Sequence, residues 1–192
     1  MMKAALGFRV KSGWATAVLL AGTVQSPQAL FRRIVELSDA GVPETKQPYH
    51  AGMGTLEEDE AKIRPRTAIV QRVAKSSVAQ LIEHCRAAGH EVRGAGLVVG
   101  SQIDPAKIAN PHIRAHALEG RLFRTVLEDA LTARGVQCSV ATERDIYGEA
   151  AALLGEPESK LKRRLAELGR ALDGPWRTEE KLAALAAWMR LA

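Results

Sequence analysis

The chain is 192 residues long, 46% hydrophobic and 26% charged, with a formal net charge of +5 and a pI near 9.5. That is enough apolar sequence for one α/β core, it excludes a disordered or low-complexity chain, and no apolar run approaches the ~20 residues of a membrane-spanning helix. The two cysteines, Cys85 and Cys138, stand outside any CxxC spacing, which excludes an all-thiolate metal site and predicts buried free thiols in a reducing compartment.

Lys3 to Val10 alternates in the manner of a strand, Ser12-Gly13 signals a turn, and Trp14 to Ala21 predicts a second strand. Ala29 to Leu37 predicts a third, separated from the second by Gly22 and Ser26-Pro27. Strands this closely spaced make an antiparallel meander. The apolar stretch "ATAVLLAG" follows Arg9 and Lys11 as the core of a secretion signal would, but it runs on into β-like sequence rather than a cleavage site. A soluble cytoplasmic protein with no membrane partner is the expectation.

Ser38 to Gly54 is rich in Gly and Pro and predicts a long loop, the kind of segment that often carries function. Glu57 to Glu60 suit the first turn of a helix, and Pro65 interrupts that start. From Thr67 the residues Ile69, Val70, Val73, Val78, Leu81, Ile82 and Cys85 recur at helical spacing until Gly89. "HEVRGAGLVVGSQ" predicts a fourth strand whose end, Leu97 to Val99, is buried on both faces. A long helix spans about His112 to Arg134, with Leu118, Leu122, Val126 and Leu127 on its apolar side, and "VQCSVA" predicts a fifth strand. Beyond Thr142 the pattern is helical, with a basic amphipathic segment from Glu158 to Leu172 and a last helix after Pro175, for which Thr178 is the expected N-cap.

The order β-β-β-α-β-α-β-α-α implies a mixed sheet with helices on both faces. It resembles the ribonuclease H-like fold, and within it the RuvC type of Holliday-junction resolvase. Gly7 and the run Ser12-Gly13-Trp14-Ala15 are similar to the opening of that family, where a Gly-hydrophobic-Asp run precedes a Thr-Gly-Trp/Tyr-Ala type of turn. "EEKLAALAAWMRLA" is similar to its last helix. The resemblance implies a single ribonuclease H-like α/β domain over residues 1–192. It also implies a two-metal phosphoryl-transfer site with carboxylates from the first strand, the end of the fourth and the last helix. Here Arg9 replaces the first-strand acid, Val99-Gly100-Ser101 brings no acid before Asp104, and the last-helix acids fall near Lys181 and Leu182. An arginine repels a metal ion, so the expectation is a scaffold without the usual two-metal site, with no metal and no cofactor.

Other constellations carry weaker signals. His112, His116 and Glu119 share one helical face and could form a ligand set or a pocket. Arg114, Arg121 and Arg124 follow on the same helix, whose N-terminus favours an anion. Asp104, Glu119, Glu128 and Asp129 form an alternative acidic group, although adjacent Glu128 and Asp129 diverge by about 100°. Lys160, Lys162, Arg163 and Arg164 form a basic run that could follow a phosphate backbone or simply face solvent. Neither a GxxxxGK[ST] loop nor a GxSxG elbow occurs.

Three readings stay open. One is a non-catalytic binder of structured nucleic acid, using Arg9, Ser12, Lys11, the His112 to Arg124 helix and the Lys160 to Arg164 run. Another is a divergent hydrolase or anion-binding enzyme built on His112, His116 and Glu119, with Arg9 and Arg121 holding the anion. The last is an interaction module that uses the Ser38 to Gly54 loop or a homodimer face. No catalytic residue is identifiable.

Overall fold

The computed structural model describes residues 1–52 and 54–192. Strands β1 (Met2–Lys11), β2 (Trp14–Gly22) and β3 (Pro27–Glu36) form the expected antiparallel meander. Strand β4 (His90–Val99) joins β1 in parallel and β5 (Gln137–Thr142) joins β4 in parallel, giving the order β3-β2-β1-β4-β5. The β1–β2 hairpin turns at Gly13, whose φ of +84° suits glycine, and the Ser38 hydroxyl donates to its carbonyl at 3.0 Å.

Side-chain alternation sends the strands' apolar residues to two separate cores. Leu6, Phe8, Val10, Leu19 and Leu97 pack against helices α1 (Glu60–Ala87) and α2 (Pro111–Thr132), which contribute Val78, Leu81, Phe123 and Leu127. On the opposite face Val18, Leu20 and Val98 meet α3 (Ile146–Leu154), α4 (Glu158–Leu168) and α5 (Thr178–Met189) through Ile146, Leu161, Leu165, Leu185 and Trp188.

Helix α5 is seated unusually close. A Cβ on Gly7 would lie 1.8 Å from the Ala183 carbonyl oxygen, and one on Gly96 would lie 2.6 Å from that of Ala186. Only glycine in the strands and alanine in the helix permit this approach. With α3 and α4 covering its outer side, α5 is buried from Leu182 to Trp188, and the Trp188 indole N–H donates to the Val24 carbonyl at 2.8 Å.

Three expectations need correction. Helix α1 runs through Pro65 rather than being broken there: Pro65 is its sixth residue, so the helix forgoes the bond to the Ala61 carbonyl and continues, and Asp59 caps the start by accepting the Ala61 N–H at 2.9 Å. Arg177, not Thr178, is the N-cap of α5, and its N–H donates to the Glu180 carboxylate at 2.8 Å. The basic helix ends at Leu168 and continues as a 3-10 turn, Gly169–Ala171. No helix among the described residues is long and apolar enough to cross a membrane.

Candidate functional site

The carboxyl ends of β1 and β4 open into a cleft of about 340 Å³, the place where open α/β sheets receive ligands. Arg9, Lys11 and Ser12 line it from β1 and its turn, Gly100 and Ser101 from the end of β4, and His116 and Gly120 from α2. Arg9 lies on the α5 face of β1, the same face as Gly7, and is 4% exposed. Its guanidinium donates to the Val10 carbonyl at 2.7 Å and pairs with Glu143, whose own N–H donates to the Val99 carbonyl at 2.8 Å. Ser12 is exposed in the hairpin turn.

Carboxylates are present near this edge of the sheet, but they are matched with cations. Glu143 meets Arg9, Glu179 lies 3.5 Å from Lys11, and buried Glu180 lies 3.6 Å from Arg32. Asp104 is exposed and caps the short turn Pro105–Lys107 by accepting the Ala106 N–H at 3.1 Å. Sequence reasoning missed Glu143. It follows β5, far along the chain from Arg9, and only the sheet order brings the two together.

A second cleft, of about 770 Å³, lies beside the first and shares His116 with it. Asn110 caps α2 by accepting the Ile113 N–H at 3.0 Å. One turn apart from that start, His112 and His116 place their ring centroids 4.5 Å apart. The Ser38–Gly54 loop adds a residue the sequence did not single out: His50, with centroids 4.7 Å from His116 and 5.4 Å from His112. Arg66 of α1 fixes this part of the loop by donating to the Pro48 and His50 carbonyls at 3.2 and 3.3 Å.

Glu119 does not share the open face expected of it. It is fully buried beneath the loop, and its Oε1 lies 2.7 Å from His50 Nδ1 while Oε2 lies 3.6 Å from His116 Nδ1. Burial pushes the Glu119 carboxyl above its ordinary pKa, against the lowering effect of His50. His116 is pushed below its ordinary value, by burial first and then by the neighbouring His50 and His112. Arg121 is exposed, and its charge opposes the rise that burial gives the Tyr49 hydroxyl.

The remaining basic residues do not form one strip, since α2 and α4 cover opposite faces of the sheet. On α2, Arg114 donates to the Ile108 carbonyl at 2.8 Å, and Arg124 lies 3.4 Å from Glu128. On α4, Lys160 and Arg164 both reach Glu156, at 3.2 and 2.6 Å, and Lys162 reaches Glu158 at 3.1 Å. Arg164 also stacks 4.3 Å from the Trp188 ring. Arg163 is exposed.

No protein-family profile and no curated protein matches this sequence. Solved structures do. Thermus thermophilus RuvC in complex with a Holliday junction substrate aligns with a TM-score of 0.56 at 12% identity, over 97% of this chain and 91% of that one. A second T. thermophilus RuvC structure gives 0.55 at 11% identity, over 97% and 92%. The yeast mitochondrial Holliday junction resolvase gives 0.52 at 10% identity, over 97% and 79%. The chain therefore has the mixed-sheet α/β fold of the ribonuclease H-like resolvases.

Proposed function

We propose that this chain is a cytoplasmic, single ribonuclease H-like domain that binds the phosphate backbone of structured nucleic acid and does not cleave it by two-metal chemistry. The observation that carries the proposal is Arg9, buried at the carboxyl end of β1 and paired with Glu143, with Lys11 and Ser12 beside it in the cleft. Two divalent ions need several carboxylates free to face them. Here Glu143, Glu179 and Glu180 are each matched by a cation. The edge of this cleft carries an arginine and a lysine, each already paired with a carboxylate, where a two-metal site would carry carboxylates free to face metal.

The fold supports a nucleic-acid ligand, since one structural relative was captured on a Holliday junction, and the net charge of +5 has the required sign. Lys11, with Arg114 and Arg124 of α2, supplies the nearer phosphate contacts. The α4 run is the more distant contributor, because α4 covers the opposite face of the sheet from α2; there Glu156 and Glu158 pair with Lys160, Lys162 and Arg164 and leave Arg163 without an acidic partner among the described residues.

Fluorescence anisotropy with labelled four-way junction, duplex DNA and single-stranded RNA tests this, at two salt concentrations, with Mg²⁺ and with EDTA, followed by a denaturing gel. Expected is junction binding that survives EDTA, leaves strands intact and weakens roughly 10- to 100-fold between 50 and 200 mM salt. Lys11→Ala and Arg114→Ala should each lower the salt slope by about one. Cut strands would overturn the non-catalytic part, and absence of binding at low salt would overturn the nucleic-acid part.

A further inference from the structure

His112 and His116 alone could be a packed pair at the start of a surface helix. His50 and Glu119 make that account insufficient. One nitrogen from each of His50, His112 and His116 can be chosen so that all lie within 4.8 Å of one another. Imidazoles this close repel one another when protonated, and a shared cation is what lets three of them sit together. Beneath them Glu119 accepts the Nδ1–H of His50 at 2.7 Å. In the neutral ring that hydrogen bond places the proton on Nδ1 and leaves the lone pair on Nε2. Nε2 is itself buried and has no hydrogen-bond partner among the described residues, and the His50 side chain is 7% exposed. A buried lone pair without a donor is an unmet cost, and a metal ion would meet it. A carboxylate behind a histidine is also the arrangement that orients a metal-ligating imidazole.

We propose that His50, His112 and His116 hold one zinc ion, or a similar first-row divalent ion, with Glu119 orienting His50 from behind. Where the sequence predicted no metal, a third histidine delivered by a distant loop completes the ligand set. Nitrogen donors select zinc and its neighbours over magnesium or calcium, which take oxygen. Zinc–nitrogen bonds of ~2.0–2.1 Å put tetrahedral ligand nitrogens about 3.3 Å apart. His112 and His116 are exposed and free to close that gap by rotating inward, against a His50 that Glu119 holds in place. Three protein ligands leave the fourth position open to the cleft formed by Pro43, Glu44, Gln47, Gly52 and Gly54. That position takes water or an anionic oxygen. Because His116 also lines the Arg9–Lys11–Ser12 cleft, an anion held there lies beside the ion.

Protein dialysed against EDTA is titrated with Zn²⁺ in competition with a chromophoric chelator, and with Co²⁺ by visible absorption. Expected is one ion per chain, sub-micromolar for Zn²⁺, and the intense visible bands of low-coordinate cobalt. His112→Ala and His116→Ala should each weaken Zn²⁺ at least 100-fold, and Glu119→Gln roughly 10- to 100-fold. His112 is exposed, so His112→Ala reports on the site even where a His50 variant fails to fold, and circular dichroism of each metal-free variant checks this. Absence of stoichiometric uptake by the wild type would overturn the proposal, as would uptake that persists in a His112→Ala/His116→Ala double variant. Junction binding measured on the same EDTA-treated samples separates failure of this site from failure of the nucleic-acid reading.

Discussion

Toward α1 and α2 the sheet presents Leu6, Phe8, Val10 and Leu97, and the helices answer with Leu81, Phe123 and Leu127, so side chains fill the gap between layers. Toward α5 the same strands present Gly7 and Gly96, and the helix answers with Ala183, Ala186 and Ala187, so the backbones themselves meet. The two faces also treat polar groups differently. The close-packed face leaves room for charge only at its rim, where Arg9 pairs with Glu143, Lys11 with Glu179 and Arg32 with Glu180. The bulky face holds α2 far enough out for His112 and His116 to stand at the strand ends while Glu119, less than two turns later, is wholly inside. Close packing thus gives neutralised ion pairs, and looser layering gives a cluster with ligand capacity to spare.

The sharpest way to break this comparison is to add a methyl group to the close-packed face. In Gly7→Ala the new Cβ meets the Ala183 carbonyl oxygen at 1.8 Å, so α5 must lift off the sheet. The expected loss is about 3 kcal/mol or more, or no folded protein at all. Leu127→Ala on the other face removes three carbons and should cost about 2–5 kcal/mol through the cavity it leaves, with the fold intact. Urea denaturation reads both. A Gly7→Ala variant with the wild-type midpoint would mean that α5 is not seated on the backbone.

A smaller effect is expected at the rim. Arg9→Met removes a buried guanidinium, but Glu143 is 43% exposed and regains water, so the loss should be about 1–2 kcal/mol rather than the larger penalty of a stranded buried charge. Adding Glu143→Gln should recover part of it, and a double-mutant cycle measures the coupling. A loss as large as that of Gly7→Ala would show that the pair, and not the close contact, holds this face.

The smallest effect belongs to the thiols. Burial pushes Cys85 and Cys138 up to about 11, and both pack on the α1–α2 side. At pH 8 only about one thiol in a thousand is then ionised. Native protein should label slowly, about tenfold faster per pH unit, and both thiols should react at once in urea. Rapid labelling of native protein at pH 8 would mean that the bulky face opens.

The strands were legible because alternation is local: Lys3 to Val10 predicted β1, which spans Met2–Lys11, and Trp14 to Ala21 predicted β2, which spans Trp14–Gly22. The errors at Pro65 and Thr178 were also local, concerning how a helix begins rather than whether it forms. Helical spacing likewise put His112, His116 and Glu119 on one side of α2. Periodicity gives an angle around the axis and not a depth, so it could not tell that this stripe passes from solvent to core.

What the chain determined by itself is the element order, the two-sided burial of β4 and the apolar faces of its helices, because each is written in neighbours a few residues apart. What tertiary structure alone decided is the pairing of Arg9 with Glu143, 134 positions later, and of His50 with Glu119, 69 positions later. Contacts across such separations leave no mark on local pattern. They exist only once the sheet order and the packing of a loop against a helix have brought the partners within reach.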